Sequence, residues 1–412
     1  MRRRDGSNSS DSSNGPAILP AFSVASTKRN SAPTGALDFT SALYLGFRHP
    51  SWSLRRWPQF TTGKPAALAS PSDAERVACH LASLQGCEAG VAGTSTFHLF
   101  WDLFGMLAQG SAAIFFDAGL YAIARWGIER AEARGATVQQ FAHHDAAALQ
   151  RAFAGGLKAH QQPVVVTDGF CPGCGEPAPL AAYLASVRAA GGLLVVDDTQ
   201  ALGIFGHSHG SDAPYGLEGG GMLRWAGING PDMVMVSSLA KGFGAPLAVL
   251  SGSQTTVAEF QRKSETRVHC SPPSIATLHA AERALHLNRE RGNRLRLRLA
   301  HLVRRFRSGA AQTGFSFIGG SFPMQTLIPG SREEAGRIHE GLLRKGIQTV
   351  LRQLPDGRNL RVSFLITARH TPEAIDRVIR VLTDLYWAQR ASSAVWSPGR
   401  DTRCWLRSLC KS

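Results

Sequence analysis

Short apolar runs alternate with helical segments through the middle of the chain, and this pattern constrains the fold most strongly. The runs cover residues 112–116, 163–167, 193–196 and 233–236. Apart from the final Thr167, each is apolar throughout instead of alternating with polar residues, which indicates strands that are buried on both faces. Because helical patterns separate them, the sequence predicts an α/β fold with a mostly parallel central sheet covered by helices.

Polar residues stand where several of these strands end. Asp117 and Asp197 end two of the runs, and Ser238 ends a third. In open α/β sheets, ligands bind beyond the carboxyl ends of the strands. The sequence therefore predicts one shared site at this edge of the sheet.

Lys241 lies in a small-residue turn directly after a buried strand, in the sequence SSLAKGFG of residues 237–244. A desolvated amine loses its proton more easily and is suited to forming a Schiff base. Asp197 supplies a buried carboxylate that can hold a protonated ring nitrogen. A lysine and an aspartate at strand ends are the two polar groups that pyridoxal phosphate needs, so we predict this cofactor, with Lys241 and Asp197 as catalytic residues.

Further side chains fit the same cofactor. Gly93, Thr94 and Ser95 form a small, hydroxyl-rich turn before an apolar helix, where backbone N–H groups can bind a phosphate. Such turns are also common helix caps. Ser238 offers a second hydroxyl to the phosphate. Tyr121 follows a strand end and can stack on the cofactor ring, although packing in the core or at an interface is the alternative.

Arg361 lies within an apolar strand, in the sequence NLRVSF, and therefore needs an anionic partner. A substrate carboxylate fits its two-pronged guanidinium; an internal ion pair is the alternative. The surrounding strands and helices, over residues 315–386, predict a smaller C-terminal α+β domain.

Seven cysteines are scattered without regular spacing, which favours a reducing, cytoplasmic compartment over a disulfide framework. Cys171 and Cys174 have the spacing of a redox pair or of half a zinc site. One pair cannot fill a four-ligand site, and no second pair is near in sequence. We therefore favour a structural turn and predict no metal.

The formal net charge of +15 is high, and much of it comes from arginines near the two ends and in residues 291–307. No nucleic-acid-reading motif accompanies it, so nucleic-acid binding is not favoured. No run approaches the length of a membrane span. The glycine-rich residues 216–230 lack the Lys-Ser/Thr of a phosphate loop, and we interpret them as a flexible surface excursion.

The predicted organisation has five parts. Residues 1–35, poor in apolar residues, are expected to be a disordered leader. An N-terminal segment (36–60), a large cofactor-binding domain (61–290), a small C-terminal domain (291–390) and an irregular tail (391–412) follow.

Residues 37–385 resemble fold-type-I pyridoxal-phosphate enzymes of the class I/II aminotransferase superfamily. They are most similar to the α-oxoamine synthases, such as 8-amino-7-oxononanoate synthase and glycine C-acetyltransferase. Residues 37–46 (LDFTSALYLG) with His49 and Pro50 resemble the motif "FSSNDYLGL…HP". Residues 195–206 (VVDDTQALGIFG) resemble "VDDAHGTGVLG", and residues 237–244 resemble the lysine motif.

This resemblance implies the fold and the roles of several residues. Lys241 would bond covalently to the cofactor, Asp197 would bind its ring nitrogen, and Arg361 would bind the substrate carboxylate. Gln200 stands where the family has a histidine that hydrogen-bonds the cofactor's O3′, and Tyr121 stands at the ring-stacking histidine. The family's sites are completed by a second subunit, which implies a homodimer in which Ser271, in residues 269–273, contacts the phosphate.

The implied reaction joins an amino acid to an acyl thioester, of coenzyme A or a carrier protein, with loss of carbon dioxide. Two departures keep alternatives open. Gln200 can donate a hydrogen bond but cannot carry a proton. Residues 62–70 lack the arginine and most glycines of the family's GSGGSR segment. Transamination and a non-catalytic protein of the same fold are the alternatives.

Overall fold

The computed structural model describes residues 35–354 and 359–394, and the side chains of these up to residue 391. The predicted leader, apart from Gly35, and the predicted tail from residue 395 lie outside the described residues. The strands, in chain order, are β1 (Leu37–Asp38), β2 (Ala89–Gly93), β3 (Ala112–Asp117), β4 (Thr137–Phe141), β5 (Gln162–Asp168), β6 (Phe170–Cys171), β7 (Glu176–Pro177), β8 (Leu193–Asp197), β9 (Met233–Ser238), β10 (Ala248–Gly252), β11 (Ser316–Ile318), β12 (Met324–Ile328), β13 (Ile347–Gln348), β14 (Val350–Gln353) and β15 (Leu360–Leu365).

The α-helices of the same ranges are α1 (Ser72–Gln85), α2 (Thr96–Leu107), α3 (Ala122–Ala133), α4 (Ala146–Gly156), α5 (Leu180–Ala189), α6 (Met222–Ala226), α7 (Gln254–Lys263), α8 (Glu265–His269), α9 (Ile275–Leu287), α10 (Asn293–Ala310), α11 (Arg332–Arg344) and α12 (Pro372–Ala394). A 3₁₀ turn covers Ser51–Ser53, and a π-helical turn, Asn288–Gly292, joins α9 to α10. Helix α12 continues four residues into the segment that was expected to be irregular.

Seven strands form the central sheet in the order β2-β10-β9-β8-β5-β3-β4. All neighbouring pairs are parallel except those of β10, which runs antiparallel to β2 and to β9. The apolar runs identified in the sequence form β3, β5, β8 and β9, so the predicted α/β fold with a mostly parallel sheet is confirmed.

Helices cover both faces of this sheet because successive side chains of a strand point to opposite sides. In β8, Val195 packs with residues of α2, α3 and α7. Its neighbours Leu194 and Val196 belong to the larger core, with residues of α1, α4, α5 and α9. Burial on both sides explains why the strand sequences are continuously apolar.

A second sheet, β11-β12-β15-β14, is antiparallel throughout and packs with α10, α11 and α12. The N-terminal strand β1 pairs with β13 beside it, in the register Leu37↔Ile347. Phe39 is also hydrogen-bonded to the second sheet, since Leu365 of β15 donates its backbone N–H to the Phe39 carbonyl over 2.9 Å. The N-terminal segment thus spans from the smaller sheet towards the central one.

The glycine-rich residues 216–230 are not the flexible surface excursion that we expected. Gly219, Met222 and Leu223 are buried, and α6 lies within the segment. The Asp198 carboxylate accepts the Met222 backbone N–H, with oxygen distances of 3.1 and 3.2 Å. A buried carboxylate therefore caps α6 and fixes the segment, an interaction between distant residues that composition alone does not reveal.

Of the helices in the described ranges, none is both long enough and apolar enough to cross a membrane.

Candidate active site

Three strand-end carboxylates lie side by side at one edge of the central sheet. Asp168 and Asp197 are directly paired at the ends of β5 and β8, and Asp117 ends β3 on the other side of β5. Ser238 ends β9, the strand on the far side of β8. The sequence placed Asp117, Asp197 and Ser238 at such ends, and the sheet brings these ends to the same edge.

The loop that carries Lys241 leaves β9 and returns directly into β10. Leu239 donates its backbone N–H to the Leu247 carbonyl over 2.8 Å, which closes the loop. A Cβ on Gly242 would lie 2.4 Å from the Leu202 carbonyl oxygen, and Gly244 has φ +65°. Both glycines are therefore required by the close approach of this loop to its neighbours.

The surroundings of Lys241 make its amine easier to deprotonate than an exposed lysine. Burial lowers the pKa of Lys241, and the negative charges of Asp197 and Asp168 oppose this change only in part. Burial raises the pKa of Asp197, against the hydrogen bonds from Thr199 and the charge of Lys241. Burial, and then the charge of Asp197, raises the pKa of Asp168 well above its ordinary value.

Thr199 holds the catalytic strand ends together. Its backbone N–H donates to Asp197 Oδ1 over 3.0 Å, and its Oγ1 accepts the backbone N–H of Ser238 over 3.1 Å. Asp197 itself is only 6% exposed. This arrangement fixes the orientation of the Asp197 carboxylate while keeping water away from it.

Tyr121 lies beside this group and is not a core residue, since it is 43% exposed. Its ring centroid is 5.8 Å from Lys241 Nζ. Its backbone N–H donates to Asp168 Oδ1 over 3.2 Å, so the start of α3 is tied to the end of β5. The aromatic ring thus lies at the mouth of the site, next to the lysine amine.

Gln200 contacts the N-terminal motif. Tyr44 Oη lies 3.3 Å from Gln200 Oε1 and donates to it. Tyr44 is buried, and burial raises the pKa of its hydroxyl, so it remains a hydrogen-bond donor. Because the amide oxygen of Gln200 is taken, its Nε2 hydrogens are left to donate to another acceptor.

The same N-terminal motif also supports the lysine loop. His49 Nε2 lies 2.8 Å from the Phe243 carbonyl oxygen, and the rings of Phe47 and Phe243 stack with centroids 6.4 Å apart. A Cβ on Gly244 would lie 2.8 Å from the Phe47 carbonyl oxygen. The segment therefore packs directly on the residues that follow Lys241.

The candidate phosphate loop follows β2. Ala248 of β10 pairs with Gly93 on one side and with Ser238 on the other, so these two residues flank the same point of the sheet. Ser95 caps α2: its Oγ lies 2.8 Å from His98 Nδ1 and accepts the His98 backbone N–H. Because the Ser95 hydroxyl serves the cap, the helix N-terminus offers mainly backbone N–H groups to an anion.

Ser271 is exposed and lines a pocket with Gly93, Thr94 and Arg267 of the same chain. Arg267 Nε is buried and has no hydrogen-bond partner among the described residues, and burial lowers the pKa of Arg267. The pocket thus combines a helix N-terminus, a serine and a guanidinium, three groups that suit a phosphate. The contact of Ser271 with a second subunit stays a prediction.

Arg361 faces a second arginine, which the sequence alone does not reveal. Arg352 of β14 is directly paired with Arg361 of β15. Arg352 Nε and Nη2 are buried without hydrogen-bond partners among the described residues. Burial, and next the charge of Arg361, lowers the pKa of Arg352. Two facing guanidiniums, of which Arg352 has these two unpartnered donors, suit a carboxylate.

Asp168, Thr199, Tyr44 and Arg352 are the further residues that the structure adds to the site. Asp168 had a usable signal, because it ends an apolar strand just as Asp117 and Asp197 do. The others become visible only when strands and loops that are distant in sequence are brought together.

These groups fit pyridoxal phosphate. A buried amine, a buried carboxylate of raised pKa, an exposed aromatic ring beside the amine and a helix N-terminus with hydroxyls surround one strand-end edge. They match its aldehyde, ring nitrogen, ring face and phosphate in turn.

Comparisons with known proteins agree with this geometry. The model of the family "Aminotransferase class I and II" matches residues 62–382. A relative from Stutzerimonas stutzeri, named 8-amino-7-oxononanoate synthase, is 27% identical over 89% of this chain and 83% of its own length. Another of that name, from Sodalis glossinidius, is 29% identical over 84% of this chain and 87% of its own length.

A third relative of the same name, from Alkalilimnicola ehrlichii, is 29% identical, but the match covers 62% of this chain and 63% of that protein. The match therefore spans less than two thirds of this relative.

Solved structures show the same fold. A serine palmitoyltransferase from S. paucimobilis superposes with a TM-score of 0.75 at 18% identity, over 86% of this chain and 88% of that one. An 8-amino-7-oxononanoate synthase from Francisella tularensis has a TM-score of 0.66 at 16% identity, over 87% and 99%. With its fold and its relatives in agreement, the chain belongs to the class I and II aminotransferase family of fold-type-I pyridoxal-phosphate enzymes.

Proposed function

We propose that the chain joins an amino acid to an acyl thioester with loss of carbon dioxide. The observation that carries this proposal is the buried Lys241 amine, which lies next to Asp197 and 5.8 Å from the ring of Tyr121. The relatives named 8-amino-7-oxononanoate synthase support the choice of reaction.

The residues around Lys241 have distinct roles towards the cofactor. When bound, pyridoxal phosphate supplies an electron sink that stabilises negative charge at the amino acid Cα. Asp197 keeps the ring nitrogen protonated, and Thr199 holds Asp197 in place. Tyr121 covers the ring, and Gln200 donates from Nε2 to the ring oxygen. Gly93, Thr94, Ser95, Ser238 and Ser271 bind the phosphate.

Arg361 and Arg352 bind the carboxylate of the amino acid. Their paired position on β15 and β14 lets two guanidiniums hold one carboxylate group. A carboxylate would also relieve the repulsion that lowers the pKa of Arg352. Lys241 Nζ, with its lowered pKa, is able to accept the proton from the amino acid Cα and later to return one.

The new carbon–carbon bond forms between the Cα and the thioester carbonyl carbon. The thiolate leaves and takes a proton, and the carboxylate leaves as carbon dioxide. The formal charge of +15 suits an acidic thioester carrier, either coenzyme A or a carrier protein.

Transamination is the alternative that Gln200 favours. A glutamine cannot transfer a proton, whereas a histidine at this position can. Condensation then depends on Lys241 for every proton transfer.

The test is product formation by the purified full chain with pyridoxal phosphate. Glycine, alanine or serine labelled at Cα is supplied with acyl-coenzyme A or an acyl carrier protein, and mass spectrometry follows the labelled ketone while a thiol reagent follows thiol release. We expect one pairing to give stoichiometric ketone, thiol and carbon dioxide.

Lys241→Ala should abolish all three products, whereas Lys263→Ala, a lysine of helix α7 paired with Glu259, should not affect them. A pyridoxamine form of the cofactor that accumulates with an amino donor alone, with no ketone from any thioester, would establish transamination instead.

We further propose a homodimer. Exposed apolar side chains lie around the phosphate loop. Two of them, Phe97 and Trp126, contact each other and are 39% and 48% exposed. Leu68 and Val268 are 74% and 51% exposed on two segments that are joined by the Ala67–Arg267 backbone hydrogen bond. Sedimentation at two concentrations tests this, and a monomer at micromolar concentration would contradict it.

Cytoplasmic localisation and the boundaries near residues 60, 290 and 390 stay predictions. The π-helical turn Asn288–Gly292 supports the second of these boundaries, because α9 packs on α1 whereas α10 packs on α12.

A further inference from the structure

The two cysteines of the Cys-Pro-Gly-Cys sequence lie on a tight hairpin. Strand β6 pairs with β7 in the register Cys171↔Glu176, and Gly175 donates its backbone N–H to the Cys171 carbonyl over 2.8 Å. Gly175 has φ +84°, and a Cβ there would lie 2.8 Å from the backbone of Gly319. The hairpin is thus fixed, and it brings the sulfurs of Cys171 and Cys174 to one side.

The second pair of ligands, which the sequence lacks nearby, comes from the loop between β4 and α4. His143 Nε2 lies 3.4 Å from Cys174 Sγ, and His144 Nδ1 lies 3.9 Å from the same sulfur. The ligand atoms of His143, Cys171 and Cys174 all lie within 4.8 Å of one another. Tetrahedral zinc with two sulfurs and two nitrogens separates its ligand atoms by about 3.6 Å, given bonds of about 2.3 and 2.0 Å.

Asp117 orients the first histidine. Its Oδ1 lies 2.5 Å from His143 Nδ1, which turns His143 Nε2 towards the sulfur. Its Oδ2 accepts the backbone N–H of His144 over 3.0 Å. Since Gly119 also donates to Oδ1 over 2.7 Å, Asp117 acts as the buried carboxylate behind a ligand and not as a ligand itself.

His144 shows that the loop is built around these side chains. It has φ 55°, a left-handed conformation that is uncommon for a residue other than glycine. Its Nε2 is buried and has no hydrogen-bond partner among the described residues. Its ring stacks on His143 with centroids 3.8 Å apart. Its Nδ1, which lies 3.9 Å from Cys174 Sγ, makes His144 the candidate for the fourth ligand.

The sulfur chemistry agrees with the geometry. A thiolate, not a thiol, binds the metal. A doubly charged cation displaces the protons of both thiols, and the two thiolates neutralise the ion.

We propose that Cys171, Cys174, His143 and His144 bind one zinc-class divalent ion in a structural site. The site lies beside the active centre, because Asp117, which holds His143, and Asp168 end the neighbouring strands β3 and β5. The ion would hold the β6–β7 hairpin against Gly319 of the C-terminal half. It would thereby fix the segment between the strand-end carboxylates and the pair of Arg352 and Arg361.

The first test is the metal content of the full chain, purified under reducing conditions and dialysed against buffer without chelator. We expect about one zinc per chain by elemental analysis, with X-ray absorption giving about two sulfur neighbours at 2.3 Å and two nitrogen neighbours near 2.0 Å. Neither readout depends on catalytic activity.

Three variants sharpen the test. Cys174→Ser, at an exposed cysteine, should reduce the zinc content to less than about a tenth. His144→Asn should cause a similar loss, and Asp117→Asn should weaken affinity by about 10- to 100-fold while leaving some ion bound. Cys79→Ser, at an exposed cysteine of α1, is the matched control and should retain the full content.

Three results would overturn the proposal. Cys174→Ser could retain its zinc, or the parent protein could lack metal and also fail to take up Zn²⁺ or Co²⁺ on titration. The third such result is a Cys171–Cys174 disulfide that persists in reductant. Circular dichroism of Cys174→Ser separates loss of the ion from loss of the fold. The outcome is independent of the reaction that the enzyme catalyses.

Discussion

Arg352 and Arg361 face each other as a directly paired couple on the neighbouring strands β14 and β15. Two guanidiniums in this position repel, and burial together with Arg361 lowers the pKa of Arg352. We propose that an anion relieves this repulsion, and an amino-acid substrate brings one in its carboxylate.

Changing Arg361 to lysine should lower kcat/KM for the amino acid by roughly 30-fold or more. Losing one partner of a buried, hydrogen-bonded charge pair costs about 2–5 kcal/mol. Steady-state kinetics with the amino acid as the varied substrate measure the effect. Arg337→Lys, on the exposed surface of α11, is the control and should behave as the parent protein.

Arg352→Leu should weaken amino-acid binding and yet stabilise the substrate-free protein. The change removes a buried charge whose Nε and Nη2 find no acceptor in the part of the chain that the structure describes, so the folded state no longer bears its desolvation and repulsion. Thermal unfolding without substrate should shift upwards. A clear loss of stability would mean that Arg352 is paired with a protein group and does not await a substrate.

Replacing Gln200 should separate the two candidate reactions. Gln200→His adds a group that can carry a proton, so we expect a higher ratio of ketone product to pyridoxamine form. Gln200→Leu removes the hydrogen bond and leaves Tyr44 Oη without its acceptor, which should lower the yield of both the ketone and the pyridoxamine form. An unchanged ratio in the histidine variant would show that proton transfer at this position does not decide the reaction.

Asp168 should make the cofactor-free protein less stable as pH rises. Its folded-state pKa lies well above the unfolded value near 4, so its contribution is present in full below about pH 4 and is lost as pH rises through the folded-state pKa. Asp168→Asn should therefore unfold at a higher temperature than the parent protein at neutral pH. The difference should shrink towards pH 4, whereas Asp212→Asn, in an exposed loop, should show no such trend.

Gly242→Ala should destabilise the protein and disturb the lysine loop. The added Cβ would lie 2.4 Å from the Leu202 carbonyl oxygen, a backbone atom that cannot move away cheaply. We expect a loss of about 1–3 kcal/mol in the free energy of unfolding. Gly155→Ala in α4, where the new Cβ meets nothing within 4 Å, should be neutral or slightly stabilising.

The sequence reveals the sheet and its catalytic edge because both depend on local patterns. Val195 and Val234 lie in continuously apolar runs, and a polar residue at the end of such a run necessarily lies at a strand end. The roles that we predict for Lys241 and Asp197 rest on that placement, on chemistry and on resemblance.

What the sequence does not reveal depends on pairing between distant segments. Arg352 becomes meaningful only through its register with Arg361, and His143 approaches Cys174 only because the β4–α4 and β6–β7 loops emerge at the same edge. The glycine-rich residues 216–230 were interpreted wrongly for the same reason. The Asp198 carboxylate that fixes Met222 lies 24 residues earlier in the chain.

Covalent attachment of pyridoxal phosphate at Lys241 is the central claim, and borohydride reduction followed by peptide mass spectrometry tests it most directly. We predict a single phosphopyridoxyl group on Lys241, with a visible absorption band that is lost in Lys241→Ala and kept in Lys263→Ala. A label on other lysines, or a band that Lys241→Ala retains, would contradict the account.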